Sequence, residues 1–174
     1  MKNVFIVFLV LFTFTSVDAQ SKADRKLKKQ EKKERGYAHI KELIENKQFD
    51  FEAIWAIPQA GKRINLITNR GFLQQDGDNV KLFFPFFGQM HIVTNNLGKV
   101  SYDYTGTWID YKVDYVDDKH EIVLTADAEK EGERMQFVLK VGHTGIATLI
   151  ITSSHRDRIR YEGEFKKYSP SESK

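Results

Sequence analysis

Cysteine is absent from the 174-residue sequence, and its absence excludes several classes of site. Disulfide bonds, thiol nucleophiles, thiolate metal centres and lipid attachment through cysteine all need that side chain. Long apolar runs are absent as well after the first 15 residues. A membrane-spanning helix needs roughly 20 apolar residues, so the rest of the chain predicts no span. We therefore expect a protein that is not a lipoprotein.

The motifs of common enzyme classes are also missing. The sequence has no phosphate-binding loop, no Rossmann glycine fingerprint, no HExxH and no GxSxG. Its five histidines lack the close spacing of a helical or hairpin metal site. Residues 152–158 (TSSHRDR) hold serine, histidine and aspartate, but neighbouring residues of a strand point to opposite faces. Ser154 is therefore not expected to meet His155, and we expect no enzyme, cofactor or metal.

The first 19 residues have the order of a secretory signal peptide. Lys2 supplies a positive charge, residues 4–15 (VFIVFLVLFTFT) form an apolar run, and Val17 and Ala19 occupy the small-residue positions of a cleavage site. A membrane anchor is the alternative, but the run is shorter than the roughly 20 residues of a span. We predict cleavage after Ala19 and export to the periplasm or the exterior.

Positive charge is concentrated in one short segment. Residues 20–36 carry eight basic and three acidic side chains, whereas residues 37–174 carry 18 basic and 20 acidic ones. The segment has one large aliphatic residue, Leu27, so it cannot bury a face and is expected to be a solvated helix or disordered. We interpret it as a spacer or as a weak contact for an anionic surface. Nucleic acid is not an expected partner of an exported protein.

The remainder, residues 37–168, is predicted to be one mainly β domain, with a disordered tail at 169–174. A short amphipathic helix is predicted where four apolar residues recur at helical spacing: Tyr37, Ile40, Leu43 and Ile44. Beyond it apolar and polar residues alternate, and turn signals recur about every ten residues. This pattern predicts an antiparallel all-β sandwich or flattened barrel.

Alternation also predicts which residues face inward. In the first strand these are Phe49, Phe51, Ala53 and Trp55. In the acidic strand near residue 112 they are Ile109, Tyr111, Val113 and Tyr115. The tetrapeptide DGDN at 76–79 could resemble a calcium loop, but Asp-Gly is a preferred pair for hairpin turns, so we predict a turn.

An aromatic cluster stands out at residues 81–91 (KLFFPFFGQMH). Pro85 cannot donate to a strand ladder and Gly88 lets the backbone bend, so the chain is predicted to turn a corner there. Either every ring packs in the core, or one of Phe86 and Phe87 lines an opening while the other fills the core with Phe84. The candidate ligand or partner contacts are Phe84, Phe86, Phe87, Gln89 and His91.

Several segments resemble one family of small exported Bacteroidota proteins, the domain of unknown function family 4251. The similar segments are FDFEAIWAIP, INL, DGDNVKLFFPFFGQ and GIATLIITSSHRDRIRYEGEF. The family commonly has tyrosine where Phe86 stands and arginine where Gln89 stands. The resemblance implies a compact, mainly β, exported domain, and it implies no reaction.

Two functional classes fit these features. The first is an exported, non-catalytic envelope protein that binds an apolar or amphipathic ligand. The second is a protein–protein interaction or structural factor of the envelope that uses a sheet edge or the aromatic corner. An apolar cavity with a few polar groups would favour the first class, and a solid core with an exposed apolar patch would favour the second.

Overall fold

The computed structural model of the chain describes residues 16–91 and 101–169. Contacts divide the chain into two compact units, Met1–Arg35 and Gly36–Lys174. Most of the predicted signal peptide and the last five residues of the predicted tail lie outside the described residues. Within the described ranges, no helix is long and apolar enough to cross a membrane.

Among the residues that the structure describes, one long helix precedes ten strands. The helix α1 runs over Ser16–Glu45, so the basic segment of the sequence is helical. The strands are β1 (Gln48–Pro58), β2 (Ile64–Asn65), β3 (Gly71–Asp76), β4 (Asn79–Pro85), β5 (Ser101–Gly106), β6 (Asp110–Val116), β7 (Glu121–Lys130), β8 (Glu133–Gly142), β9 (Ile146–Ser153) and β10 (Ile159–Lys167). A 3-10 turn, Asp117–Lys119, joins β6 to β7.

All ten strands form one antiparallel sheet that curls into a half-barrel. Its order is β5-β4-β3-β1-β10-β9-β8-β7-β6, and the short β2 pairs with β1 outside this path. The prediction of an antiparallel all-β domain with an N-terminal helix is confirmed. The two edge strands, β5 and β6, are consecutive in the chain, so residues 107–109 connect one edge of the curled sheet to the other.

The core fills the inner face of the curl. Strands β7 and β8 show the alternation most clearly, with every second residue buried: Ile122, Leu124, Ala126 and Ala128, then Met135, Phe137, Leu139 and Val141. The four apolar residues predicted for the amphipathic helix, from Tyr37 to Ile44, are buried with them. In β7 and β8 the hydrophobic period of the sequence therefore decides which face of the strand is covered.

A β-bulge corrects the inward face predicted for β1. Ala53 pairs with Gly163 and Trp55 with Glu162, so one extra residue enters β1 at this point. The inward phase moves from Ala53 to Ala56, which is fully buried, and Trp55 is left half-buried. The guanidinium of Arg63 lies 4.2 Å from the Trp55 ring centroid. Assigning Trp55 to the core was wrong because strict alternation fails across a bulge.

The prediction for β6 was half right. Tyr111 and Val113 pack against the core, but Ile109 is 57% exposed and Tyr115 is 38% exposed. Strand β6 is the last strand of the sheet, so only its middle residues are covered by neighbours. Its outward residues Asp110 and Lys112 are charged, which is how proteins protect edge strands from unwanted pairing.

Candidate functional site

The aromatic corner, residues 84–91, is held against the connection between β9 and β10. The backbone N–H of His91 donates to the carbonyl of His155 at 2.8 Å, and that of Asp157 donates to the carbonyl of Gln89 at 3.0 Å. Met90 and Arg156 form an isolated antiparallel bridge. The structure thus brings the aromatic segment and the TSSHRDR segment together, although 66 residues separate His91 from Asp157.

The three candidate phenylalanines differ in burial. Phe84 is fully buried and packs 4.8 Å from the Tyr161 ring, between centroids. Phe86 is 3% exposed and lies edge-on to Tyr102 at 5.6 Å. Phe87 is half-buried and packs against the core from outside. Phe84 and Phe86 are therefore core residues, and Phe87 is the ring of this corner that solvent reaches.

Phe86→Ala and Phe87→Ala should differ clearly in stability. Removing the buried ring of Phe86 should lower the free energy of unfolding by about 3–5 kcal/mol. Removing Phe87 should cost about 1–2 kcal/mol, because part of its ring is already in water. Urea unfolding of both variants measures the difference. Equal and severe losses would show that Phe87 is core packing and unavailable to a ligand.

Arg156 is the central side chain of the corner, and it is 8% exposed. Its Nε lies 2.9 Å from Oε1 of Glu133, and its Nη2 donates to Oε2 of Glu133 at 3.0 Å. Its Nη1 donates to the carbonyl of Ser101 at 2.8 Å. The guanidinium also lies 4.6 Å from the Tyr102 ring centroid and 5.6 Å from that of Phe86. The charge of Arg156 is therefore compensated by Glu133, and its contacts join the connection between β9 and β10 to β8, β5 and the aromatic corner.

Gln89 and His91, the polar candidates, are exposed at the rim of the corner. Both contact Asp157: Nε2 of His91 lies 2.7 Å from Oδ1, and the backbone N–H of Gln89 donates to Oδ2 at 3.1 Å. The five predicted contact residues therefore lie along one corner of the chain, with Phe84 and Phe86 buried, Phe87 half-buried, and Gln89 and His91 exposed.

Ser154 does meet His155, contrary to prediction. Its Oγ lies 2.9 Å from Nδ1 of His155. The prediction was wrong because these residues form a bend rather than a strand, so the two side chains are not forced to opposite faces. The carboxylate of Asp157 contacts His91 and Gln89, so Ser154, His155 and Asp157 do not form the serial contacts of a triad.

A second candidate site lies where the two edges of the sheet are connected. This seam groove has a volume of about 300 Å³. Six residues line it, the first just before β1 and the last in β6: Lys47, Gln75, Asp78, Thr107, Trp108 and Tyr111. Two aromatic rings, an amide, a hydroxyl and a pair of opposite charges therefore face one small space.

Gln75 and Trp108 form the fixed wall of the seam groove. Gln75 is 1% exposed, its Oε1 accepts from Nε1 of Trp108 at 2.9 Å, and its Nε2 donates to the carbonyl of Gly77 at 3.0 Å. The indole stacks on Tyr104 at 6.3 Å and packs on Phe137 at 5.2 Å. The polar groups of this wall are satisfied, so its geometry does not depend on a ligand.

Tyr111 is the unsatisfied member of the seam groove. Its hydroxyl is buried and has no hydrogen-bond partner in the part of the chain that the structure describes. Burial raises the pKa of Tyr111 well above its usual value, so the hydroxyl is neutral and can donate. The Nζ of Lys47 lies 5.3 Å from the tyrosine ring centroid and 2.7 Å from Oδ1 of Asp78.

A third depression of about 350 Å³ lies on the outer face of the sheet, around Glu52 and Phe72. The Nζ of Lys166 lies 2.7 Å from Oε2 of Glu52, and Arg70 contacts the same carboxylate. These two cations hold the pKa of the Glu52 carboxyl below its usual value. Burial raises the pKa of the neighbouring Asp50. The acidic and basic side chains that line this depression lie next to one another. Their charges therefore largely cancel, and the depression presents little net electrostatic field to a ligand.

Comparison with protein-family models identifies the family to which the chain belongs. The model of a domain of unknown function, DUF4251, matches residues 31–165. The chain belongs to the DUF4251 family. The matched range includes the aromatic corner and the seam groove, so both sites lie within the DUF4251 domain. No curated protein matches the chain.

The DUF4251 fold is also present in a solved structure. A DUF4251 family protein from Bacteroides eggerthii DSM 20697 superposes with a TM-score of 0.59, covering 76% of this chain and 87% of that chain. The two sequences are 18% identical, so the likeness concerns the fold. Among the described residues of this DUF4251 chain, no group of three or more His, Asp or Glu side chains could hold a metal ion.

The seam groove was missed at the sequence level, although one signal was present. Gly71, Leu73 and Gln75 share the inward phase of β3, so Gln75 is a polar residue at a core position. Such a residue needs a buried partner, and Trp108 is that partner. The two residues are 33 positions apart, and alternation within a strand gives no information about that contact.

Proposed function

We propose that this DUF4251 protein is an exported, non-catalytic envelope protein that binds a small amphipathic ligand in the seam groove. The observation that carries the proposal is the buried, unpartnered hydroxyl of Tyr111 beside the fixed wall of Trp108 and Gln75. Native proteins seldom leave such a group unsatisfied, and a ligand acceptor would satisfy it.

The size and lining of the groove support this class of ligand. Small-molecule sites usually measure about 300–1,000 Å³ and combine aromatic walls with a few placed polar groups. A groove of about 300 Å³ lies at the lower end of that range. The rings of Trp108 and Tyr111 suit an apolar part, whereas Thr107 and the tyrosine hydroxyl suit a polar group on the same molecule.

The absence of catalysis is part of the proposal. Lys47 and Asp78 are 2.7 Å apart and neutralise each other. The raised pKa of Tyr111 makes it a poor base at neutral pH. At the aromatic corner Arg156 is likewise paired with Glu133. These pairings favour a binding role over proton transfer.

The alternative, a protein contact through a sheet edge or the aromatic corner, has one specific observation in its favour. Met90 is 40% exposed and follows the half-buried Phe87 by three positions, so the corner exposes some apolar surface. The edge strand β6 carries outward charges that oppose strand addition. A partner protein would therefore meet the corner rather than β6.

Native mass spectrometry tests the ligand proposal. Protein purified from its own host should carry a small-molecule adduct, and Tyr111→Ala should lose it. Tyr115→Ala is the matched control, because Tyr115 lies on the same strand and does not line the groove. An adduct that survives Tyr111→Ala, or a host protein that carries none, would contradict the proposal.

Export itself gives a separate prediction. The order of charged, apolar and small residues in the first 19 residues should direct cleavage after Ala19, so the mature chain should begin at Gln20. Intact-mass measurement of protein recovered from the periplasm or the medium reads the cleavage position directly. A mass that still includes Met1–Ala19, or protein found only in the cytoplasm, would show that the segment is not a signal peptide.

A further inference from the structure

The helical form of the basic segment sorts its charges in a way that the net charge does not reveal. Side chains of an α-helix advance by about 100° per residue. On that geometry every lysine and arginine between residues 22 and 35 of α1 falls on one half of the helix. This basic face consists of Lys22, Arg25, Lys26, Lys28, Lys29, Lys32, Lys33 and Arg35.

The other half of the same helix carries every acidic residue of the segment. Asp24, Glu31 and Glu34 lie there, together with Ala23, Leu27 and Gln30. A helix that served only as a solvated spacer would be as stable with its acidic and basic residues interspersed. Opposite charges three and four residues apart form favourable pairs. Complete sorting instead concentrates the positive field on one side.

The basic face is accessible along its length. All of its side chains except Lys33, which is half-buried, are exposed. Leu27, the large aliphatic residue of the segment, is 59% exposed and lies on the opposite half of the helix. The basic face therefore has charge to offer and no apolar side chain to insert.

We propose that the basic face of α1 docks on the surface of a bilayer that contains anionic phospholipids. The 14 residues from Lys22 to Arg35 span about 20 Å of helix, enough to lie across several headgroups. Six of the eight basic residues are lysines, compact charges that contact phosphates without demanding one fixed geometry. Contact of this kind is electrostatic and superficial, so salt weakens it strongly.

This inference is independent of the ligand proposal, because the seam groove and the basic face share no residue. The docking surface would hold the protein at a membrane, whereas the groove would hold a small molecule. Loss of either function by substitution should leave the other unchanged, which makes the two failures distinguishable.

Vesicle co-sedimentation of the exported protein, which keeps the whole basic face, tests the docking proposal. Vesicles of phosphatidylcholine alone are compared with vesicles of equal parts phosphatidylcholine and phosphatidylglycerol, so that any apolar contribution from the N-terminus cancels. We expect binding to the anionic vesicles to be at least about tenfold stronger at low salt, and most of this difference to vanish at about 0.5 M salt.

Two double substitutions with the same change in net charge locate the contact. Lys26→Gln with Lys29→Gln removes two charges from the basic face, and Ala23→Glu with Gln30→Glu adds two negative charges to the opposite face. The first pair should weaken binding to the anionic vesicles by about tenfold or more, and the second by much less. Circular dichroism confirms that both variants keep the helix.

Equal losses from the two pairs would show that net charge, and not the basic face, governs binding, and would overturn the proposal. So would equal binding to neutral and anionic vesicles. A duplex DNA or a soluble polyphosphate that binds more tightly than the anionic vesicles at the same phosphate concentration would also overturn it, because the basic face would then serve a different polyanion.

Discussion

Gly163→Ala should prevent the domain from folding. The added Cβ would lie 1.9 Å from the carbonyl oxygen of Glu52, 2.8 Å from its carbonyl carbon and 2.9 Å from the Cα of Ala53. All three atoms are backbone, so no side chain can rotate away. Gly163 and Ala53 pair at the bulge between β1 and β10, in the middle of the sheet.

The expected loss exceeds about 4 kcal/mol, a large fraction of the stability of an ordinary domain. Circular dichroism and urea unfolding measure it. Gly142→Ala is the matched control, because its nearest neighbour, the carbonyl oxygen of Ile146, would lie 3.6 Å from the new Cβ. That variant should remain within about 0.5 kcal/mol of the parent. A folded Gly163→Ala variant of near-parental stability would mean that β1 and β10 do not approach so closely.

The same position shows where sequence reasoning works and where it ends. Alternation correctly predicted that Phe49, Phe51 and Ala53 of β1 face the core, because these residues keep the strict period of a strand. It failed one residue after Ala53, where an extra residue enters β1. A bulge leaves no mark on the alternation of apolar and polar residues in the sequence. Trp55 therefore looked like a core residue, and only its pairing with Glu162 across β1 and β10 reveals the shift.

Local turn chemistry was equally informative. The DGDN segment does form the hairpin between β3 and β4, with Gly77 at φ 60°, a left-handed conformation that suits glycine. The corner at Pro85 also followed from local rules. Neither rule could show that residues 153–157 would cover the corner, because that contact joins segments far apart in the chain.

The candidate sites depend on the same long-range contacts. Gln75 could have been noticed as a polar residue at an inward position, but Trp108 could not have been named as its partner. The charge sorting on α1 could have been read from the sequence once a helix was assumed. Disorder was an equal alternative for that segment, so the structure was needed to fix the period.

Arg156 shows how completely a functional-looking side chain can be used for structure. An arginine beside serine, histidine and aspartate resembles part of an anion site. However, the charge of Arg156 is paired with Glu133, and its guanidinium lies over the rings of Tyr102 and Phe86. The side chain of Arg156 is 7% exposed and that of Glu133 is 15% exposed. Removing one partner would leave the other charge buried without compensation.

A double-mutant cycle on this pair should therefore show strong coupling. Arg156→Met alone should lower the free energy of unfolding by about 3–5 kcal/mol, because Glu133 loses its cation in a poorly hydrated site. Glu133→Gln should cost about as much, since it strands the guanidinium, although glutamine can still accept from Ser153. The double variant should be at least as stable as the less stable of the two single variants, because no unpaired charge remains. Urea unfolding of the four proteins gives the coupling energy, expected to be at least about 3 kcal/mol. Simple additivity of the two losses would mean that the guanidinium is compensated by other groups, and would reopen the corner as a site for an anionic ligand.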